Sequence, residues 1–245
     1  MLALAGSGAG EGLWLRAERQ TSGRGRQGRA WVSPVGNLHA STLVRLRPHD
    51  PPPATLALVA SVALAEVVEA YLPPRRPDGG RGRHVAERVI ADSGTGLRRG
   101  DDLILKWPND LLLGGEKLSG ILLERADDAV VIGIGVNLAH HPIDLDRPAT
   151  SLAAHGVSPD PADFLATLAD AFARWLAIWR AEGLAPVRAR WLQRAHPPGT
   201  ALTARLPDGS AIDGLFSALD NEGALILRLA DGSTRVIHAA DVFLI

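Results

Sequence analysis

The hydrophobic positions of the chain fall into long runs that predict helices and short runs that predict strands. Residues 54–72 form an apolar, alanine-rich run bounded by prolines on both sides, long enough for one buried helix. Residues 161–181 carry leucine and aromatic side chains at helical spacing, including Phe164, Phe172 and Trp179. This second pattern predicts an amphipathic helix whose aromatic side chains lie in the core.

Three strand-length patterns follow one another in the middle of the chain. They are L-I-L-K-W at 103–107, the run 111–124 and A-V-V-I-G-I-G-V-N-L at 129–138. The pair Gly114-Gly115 interrupts the middle run, which predicts a hairpin turn there. We expect these segments to be neighbouring strands of one sheet.

After Pro197-Pro198 the pattern changes to five short apolar runs separated by P-D-G, D-N-E-G and A-D-G turns. Such spacing predicts a small β-barrel of about fifty residues, a typical size for the smallest independent domains. We therefore predict a larger domain over residues 1–196 and a small barrel over 197–245.

Composition and charge exclude several classes of protein. Hydrophobic residues make up 46% of the chain and the formal net charge is -1, which indicates a soluble globular protein without an overall basic field. The chain has no cysteine, so disulfides and thiol nucleophiles are excluded. No apolar run approaches the roughly 20 residues of a membrane helix, and the start does not resemble a secretion signal. The predicted location is the cytoplasm.

Neither the histidines nor the basic stretch 75–84 supplies a predicted site. No histidine pair has the spacing of metal ligands, and His140 and His141 are adjacent. The stretch 75–84, R-R-P-D-G-G-R-G-R-H, is typical of a solvated surface loop. We predict no protein-held metal and assign no function to this stretch.

The stretch T-S-G-R-G-R-Q-G-R-A-W at 21–31 is the first candidate for chemistry. Glycines permit close approach of the backbone to a ligand, and the guanidinium group of one arginine can bind two phosphate oxygens at once. From these residues alone, two interpretations remain: a loop around a nucleotide triphosphate, or an R-G tract that touches RNA. Neither the G-x-x-x-x-G-K-[ST] phosphate motif nor a complete dinucleotide fingerprint occurs in the chain.

Four motifs in one order give a more specific indication. They are G-R-G-R-Q-G-R-A-W-V-S-P-V-G-N-L-H-A-S at 23–41, K-W-P-N-D-L at 106–111, K-L-S-G-I-L-L-E at 117–124 and G-I-G-V-N-L at 133–138. Together they resemble the biotin protein ligase family, in a short form without an N-terminal DNA-binding domain. The resemblance implies an α+β fold: a mixed sheet flanked by helices, as in class II synthetase-like biotin/lipoate ligase domains, followed by an SH3-like barrel.

The resemblance also implies a two-step reaction and its partners. Biotin and ATP, with Mg²⁺, give biotinyl-5′-AMP and pyrophosphate, and a lysine of a biotin carboxyl carrier protein then attacks the adenylate. It implies no specific DNA binding, no membrane association, and a monomer or homodimer. An enzyme of the same fold that uses lipoate or octanoate is the alternative within this class, and an Arg-Gly nucleic-acid binder is the alternative outside it.

Matching the motifs position by position implies roles for individual residues. Lys117, Arg26 and Arg29 would be catalytic, and Lys117 would touch both the biotin carboxylate and the α-phosphate. The biotin-binding residues would be Gln20, Arg24, Gly25, Arg26, Lys117, Gly133 and Gly135. The nucleotide-binding residues would be Arg29, Trp31, Lys106, Asn109, Asp110 and Asn137, with Mg²⁺ carried by ATP near Asp110. For Lys106, an inward position and a surface position both remain open, and Trp107 is interpreted as a core residue.

One departure from the family pattern concerns the N-terminal side of the site. Members carry, upstream of the arginine loop, a strand ending in a Ser-Thr-Asn segment that lines the biotin pocket, and no S-T-N occurs in this chain. The sequence therefore predicts a catalytic domain that lacks this first strand and segment. Met1 is then either the true start or an internal position of a longer reading frame.

Overall fold

The computed structural model describes residues 1–73, 103–143 and 148–244. Within these residues, six strands form one sheet and five strands form a second. The basic stretch 75–84 lies outside the described residues.

The first sheet has the strand order β1-β2-β6-β5-β4-β3. Its strands are β1 (Trp14–Ala17), β2 (Leu38–Arg45), β3 (Leu103–Lys106), β4 (Asp110–Leu113), β5 (Glu116–Ala126) and β6 (Ala129–Val136). Neighbouring strands of this order pair antiparallel. Parallel pairing in the described residues is confined to two isolated bridges, Leu105 with Ala195 and Lys117 with Ala149. The six strands themselves therefore pair antiparallel, and parallel pairing among the described residues occurs only where the sheet meets residues outside its strands. The predicted α+β class is confirmed.

Helices cover both faces of this sheet unequally. The helices are α1 (Leu2–Gly6), α2 (Leu56–Tyr71), α3 (Pro161–Glu182) and α4 (Leu184–Leu192). α2, α3 and α4 pack against one another, and α2 lies on the strands β3 to β6. The short α1 packs on β5 and β6 in a separate small cluster that includes Ala5 and Val131. The main core therefore lies between the sheet and the three longer helices.

The helix predicted at 54–72 is the centre of that core. With its preceding turn, it is long and apolar enough to cross a membrane by length and composition alone, so the expectation that no apolar run approaches that length was wrong. Twelve of its residues, from Leu56 to Val68, are buried against protein. The membrane-like composition is thus accounted for by burial between the sheet and the other helices.

Local sequence signals explain where other elements begin and end. Asp160 caps α3 by accepting hydrogen bonds from the backbone N–H groups of Ala162 (2.7 Å) and Asp163. The predicted hairpin turn at Gly114-Gly115 is confirmed, and both glycines have positive φ angles, 62° and 82°.

The second sheet contains the five predicted C-terminal strands. They are β7 (Ala201–Arg205), β8 (Ala211–Leu219), β9 (Leu225–Arg228), β10 (Thr234–Ile237) and β11 (Asp241–Leu244), in the order β10-β9-β8-β7-β11. Trp107 is buried, as predicted for a core residue. Its indole N–H donates a hydrogen bond to Gly223 O at 3.0 Å. This contact and a shared apolar core hold the second sheet against the first. A domain boundary at residue 197 stays a prediction.

Candidate active site

A cavity of about 390 Å³ lies between the arginine loop and the first sheet. Its lining combines the loop with residues of β2, β4, β5, β6 and β11. Most of the predicted site residues line it together: Gln20, Arg24, Gly25, Arg26, Arg29, Trp31, Asn109, Asp110, Lys117, Gly133 and Gly135. Positions separated by more than a hundred residues in sequence are therefore brought to one space.

The arginine loop is folded back on itself at the mouth of this cavity. Gly25 N donates to Arg29 O at 2.7 Å, and Trp31 N donates to Gly23 O at 2.9 Å. A Cβ atom on Gly23 would lie only 2.5 Å from Trp31 O, so this position accepts no side chain without a shift of the backbone. The glycines thus allow a tight turn that directs the arginines toward the cavity.

Lys117 lies on β5 and forms an ion pair inside the cavity. Its Nζ is 2.6 Å from Asp110 Oδ1, and the other carboxylate oxygen of Asp110 is 3.2 Å from Lys106 Nζ. Asp110 is 5% exposed. Burial alone would raise the pKa of Asp110, but the two lysines more than offset it and hold that pKa below its usual value. The carboxylate is therefore ionised, and its two oxygens hold the two lysine side chains in place.

Arg26 and Arg29 reach across the cavity to the second sheet. Arg26 Nη1 lies 3.1 Å from Ala240 O, 3.3 Å from Asn109 Oδ1 and 3.6 Å from Asp241 Oδ1. Arg29 Nη2 is hydrogen-bonded to the other carboxylate oxygen of Asp241. Both guanidinium groups are thus held by a residue that the sequence motifs do not include.

Trp31 covers the glycine positions of the sheet. A Cβ atom on Gly135 would lie 2.6 Å from its indole ring, and one on Gly120 would lie 3.2 Å from it. Lys117 Nζ is 5.7 Å from the centroid of the same ring. The indole ring of Trp31 therefore lies directly on the backbone of β5 and β6, and the absence of a side chain at these glycines permits this contact.

Two predicted nucleotide contacts do not line the cavity. Lys106 is buried beneath Asp110, which settles its position as inward. Asn137 is 3% exposed and donates to Thr150 O at 3.0 Å, while its backbone N–H donates to Leu118 O. The structure gives both residues supporting contacts behind the cavity wall, and a direct contact with a nucleotide stays a prediction for each.

A family model described as the biotin/lipoate A/B protein ligase family matches residues 10–137, and one described as the biotin protein ligase C-terminal domain matches residues 200–245. A biotin–acetyl-CoA-carboxylase ligase of Paracoccus denitrificans is 37% identical over 94% of this chain and 89% of its own length. The chain belongs to the biotin/lipoate protein ligase family. A second such ligase, from Mycobacterium tuberculosis, is 33% identical over 99% of this chain and 83% of its own length.

Solved structures agree with the fold of this family member. The biotin protein ligase of Aquifex aeolicus, solved with biotin and ATP, has a TM-score of 0.79 over 99% of this chain and 94% of its own, at 22% identity. The biotin protein ligase of Leishmania major, solved with biotinyl-5-AMP, has a TM-score of 0.62 over 97% of this chain and 93% of its own, at 25% identity. The first likeness supports the fold alone.

Several residues that line the cavity of this ligase-family chain were not selected in the sequence analysis. Asp241 starts the last strand, and His39, Ser41 and Glu124 lie on strands of the first sheet. Burial lowers the pKa of His39, whose Nε2 lies 3.1 Å from Pro34 O. For His39 and Ser41, the motif N-L-H-A-S was the available signal, because alternate residues of a strand share one face. Asp241 gave no local signal.

Proposed function

We propose that this chain activates biotin with ATP as biotinyl-5′-AMP and transfers the biotinyl group to a lysine of a biotin carboxyl carrier protein. The observation that carries this proposal is the placement of Lys117, Arg26 and Arg29 around one cavity that has glycines in its wall. Relatives of 33–37% identity are biotin–acetyl-CoA-carboxylase ligases, and the Leishmania relative binds biotinyl-5-AMP.

In the first step, a carboxylate oxygen of biotin attacks the α-phosphorus of ATP. The bond from that phosphorus to the pyrophosphate oxygen breaks, and pyrophosphate leaves with the electron pair. The carboxylate is already ionised at neutral pH, so no general base is needed. The barrier is the approach of an anion to a polyanion, which fixed positive charge lowers. We assign that charge to Lys117, Arg26 and Arg29.

In the second step, the neutral amine of the carrier lysine attacks the acyl carbon of the adenylate. The bond between that carbon and the phosphate oxygen breaks, AMP leaves, and the amine loses a proton as the amide forms. AMP is a good leaving group because its phosphate carries the negative charge. Between the steps, a loop that covers the adenylate protects it from water.

Mg²⁺ is proposed here as a counter-ion that arrives with the triphosphate. The described residues contain no group of three or more histidine or acidic side chains placed to hold a metal ion. Both oxygens of Asp110 face lysines, so its environment fits an ion-pair role better than that of a metal ligand. We accordingly propose that Asp110 orients the two lysines.

The partner and location complete the proposal. The substrate protein is a biotin carboxyl carrier protein, the enzyme acts in the cytoplasm as a monomer or homodimer, and it has no specific DNA target. Arg26 and Arg29 line a cavity of about 390 Å³, which has the size of a small-molecule site and so favours a nucleotide over RNA as the ligand of the R-G stretch.

The substrate acid is tested by pyrophosphate exchange into ATP. The protein is incubated with MgATP, labelled pyrophosphate and one acid at a time: biotin, lipoate or octanoate. We expect exchange with biotin and background exchange with the other two acids. Exchange that depends on lipoate or octanoate and not on biotin would replace this proposal with a lipoate- or octanoate-activating enzyme of the same fold.

A further inference from the structure

The second sheet reaches the cavity through one acidic residue, Asp241. This residue begins β11, lines the cavity, and has a side chain that is 11% exposed. Its two carboxylate oxygens face different arginines, Oδ1 toward Arg26 and Oδ2 toward Arg29. The contact joins residues more than two hundred positions apart, because the two arginine–aspartate separations are 215 and 212 residues.

The two arginines are held to different degrees. Arg26 has Asn109 Oδ1 and Ala240 O as acceptors besides Asp241, and its side chain is 26% exposed. Arg29 is bonded to Asp241 and to Gln27 Oε1, and its side chain is 47% exposed. Arg26 is therefore the more firmly held of the two, and Arg29 is the more accessible to an incoming anion.

The charged groups around Asp241 have a net positive charge that can attract that anion. One carboxylate between two guanidinium groups leaves one positive charge uncompensated. A long arginine on a glycine-rich loop loses much conformational freedom when it binds a ligand, unless it is already held in position. A carboxylate behind the arginines holds them in this way, as a supporting residue does for a binding group.

We infer that Asp241 is a positioning residue for adenylate formation, which holds Arg26 and Arg29 at the cavity so that they can bind the nucleotide phosphates. The inference rests on the proposed function and deepens it. It makes the C-terminal sheet part of the nucleotide site, because the backbone of β11 places Asp241.

The test separates nucleotide binding from biotin binding in three variants. Asp241→Asn removes the charge and keeps the size, and Asp241→Glu keeps the charge. Asp213→Asn is the matched control, since Asp213 is a carboxylate of the same sheet that is exposed and bonded to Thr203. Steady-state pyrophosphate exchange gives KM for MgATP and for biotin in each variant. A melting curve of each variant reports whether the second sheet stays folded.

We expect Asp241→Asn to raise KM for MgATP by about fivefold, the upper end of the range for a solvent-accessible ion pair, and to raise KM for biotin less, because only Arg26 of the two arginines is also predicted to contact biotin. Asp213→Asn should keep the wild-type values, and Asp241→Glu, which keeps the charge, should raise KM for MgATP less than Asp241→Asn does. An unchanged or lower KM for MgATP in a folded Asp241→Asn protein would overturn the inference, since a carboxylate that only competed with phosphate would lower it. Equal rises in both KM values would also overturn it. Absence of exchange in the wild-type protein would instead contradict the proposed function.

Discussion

Replacing Lys117 with alanine should stop adenylate formation while the protein stays folded. Lys117 is 29% exposed and its Nζ lies 2.6 Å from Asp110 Oδ1. After the substitution, Asp110 still has Lys106 at 3.2 Å, so no buried charge is left without a partner. We therefore expect a loss of only about 1 kcal/mol of unfolding free energy. For a chain of this size, that corresponds to a fall in melting temperature of about 2–4 °C.

The effect on catalysis should be much larger than the effect on stability. A charge placed where negative charge develops contributes about 100- to 1,000-fold to the rate. Biotin-dependent pyrophosphate exchange measures the first step without a carrier protein, so the loss can be assigned to adenylate formation.

Asp110→Asn is the informative comparison for Lys117→Ala. This variant leaves Lys106 and Lys117 close together without the carboxylate between them, and Lys106 is 9% exposed. Removing one partner of a buried ion pair costs about 3–5 kcal/mol, so this variant should lose stability as well as activity. Lys117→Ala protein that retains exchange within about threefold of wild type would refute a transition-state role for Lys117.

Three further predictions concern the loop and pH. Biotin plus ATP should slow tryptic cleavage between Arg24 and Arg29, because a bound anion orders a glycine-rich cationic loop; equal cleavage with and without ligands would contradict this. Arg26→Gly should release biotinyl-AMP and label bystander lysines, measured by avidin blot, and labelling no higher than that by wild type would show that the loop is not a cover. Burial lowers the pKa of both His39 and His196 below 6.5, so stability present above that pH should fall as pH drops through the lowered values. Melting curves check this, and a melting temperature that is unchanged down to about pH 5.5 would contradict it.

Elements with a local signal could be predicted from the sequence. The helices at 56–71 and 161–182 follow from apolar runs bounded by proline or by a capping aspartate. The hairpin at Gly114-Gly115 follows from two residues that adopt positive φ at low cost. In each case the physical cause lies within a few residues of the element itself.

Elements that depend on tertiary contacts could not be predicted. β2 is buried on both faces through most of its length, so it shows no alternation of polar and apolar residues. The inward position of Lys106 depends on Asp110, which lies on the next strand. The close contact of Trp31 with Gly135 joins a loop to a strand a hundred residues away.

The residues of the site also divide into those with a local sequence signal and those defined by tertiary contacts. Arginines, glycines and Lys117 could be selected because their residue types suit an anionic ligand in a recognisable motif. Asp241 could not be selected, because a single aspartate at the start of a short apolar strand is common and its partners are distant in sequence. A carboxylate that supports a cationic loop becomes visible only when the second sheet is folded against the first.

The central claim is that this chain joins biotin to a carrier lysine and converts ATP to AMP and pyrophosphate. Its most direct test is the intact mass of a biotin carboxyl carrier domain incubated with the protein, biotin and MgATP. We predict a mass gain of one biotinyl group at one lysine, absent when ATP is omitted and absent when that lysine is replaced by arginine. A carrier domain whose mass does not change, under conditions where a known biotin ligase modifies it, would contradict the account.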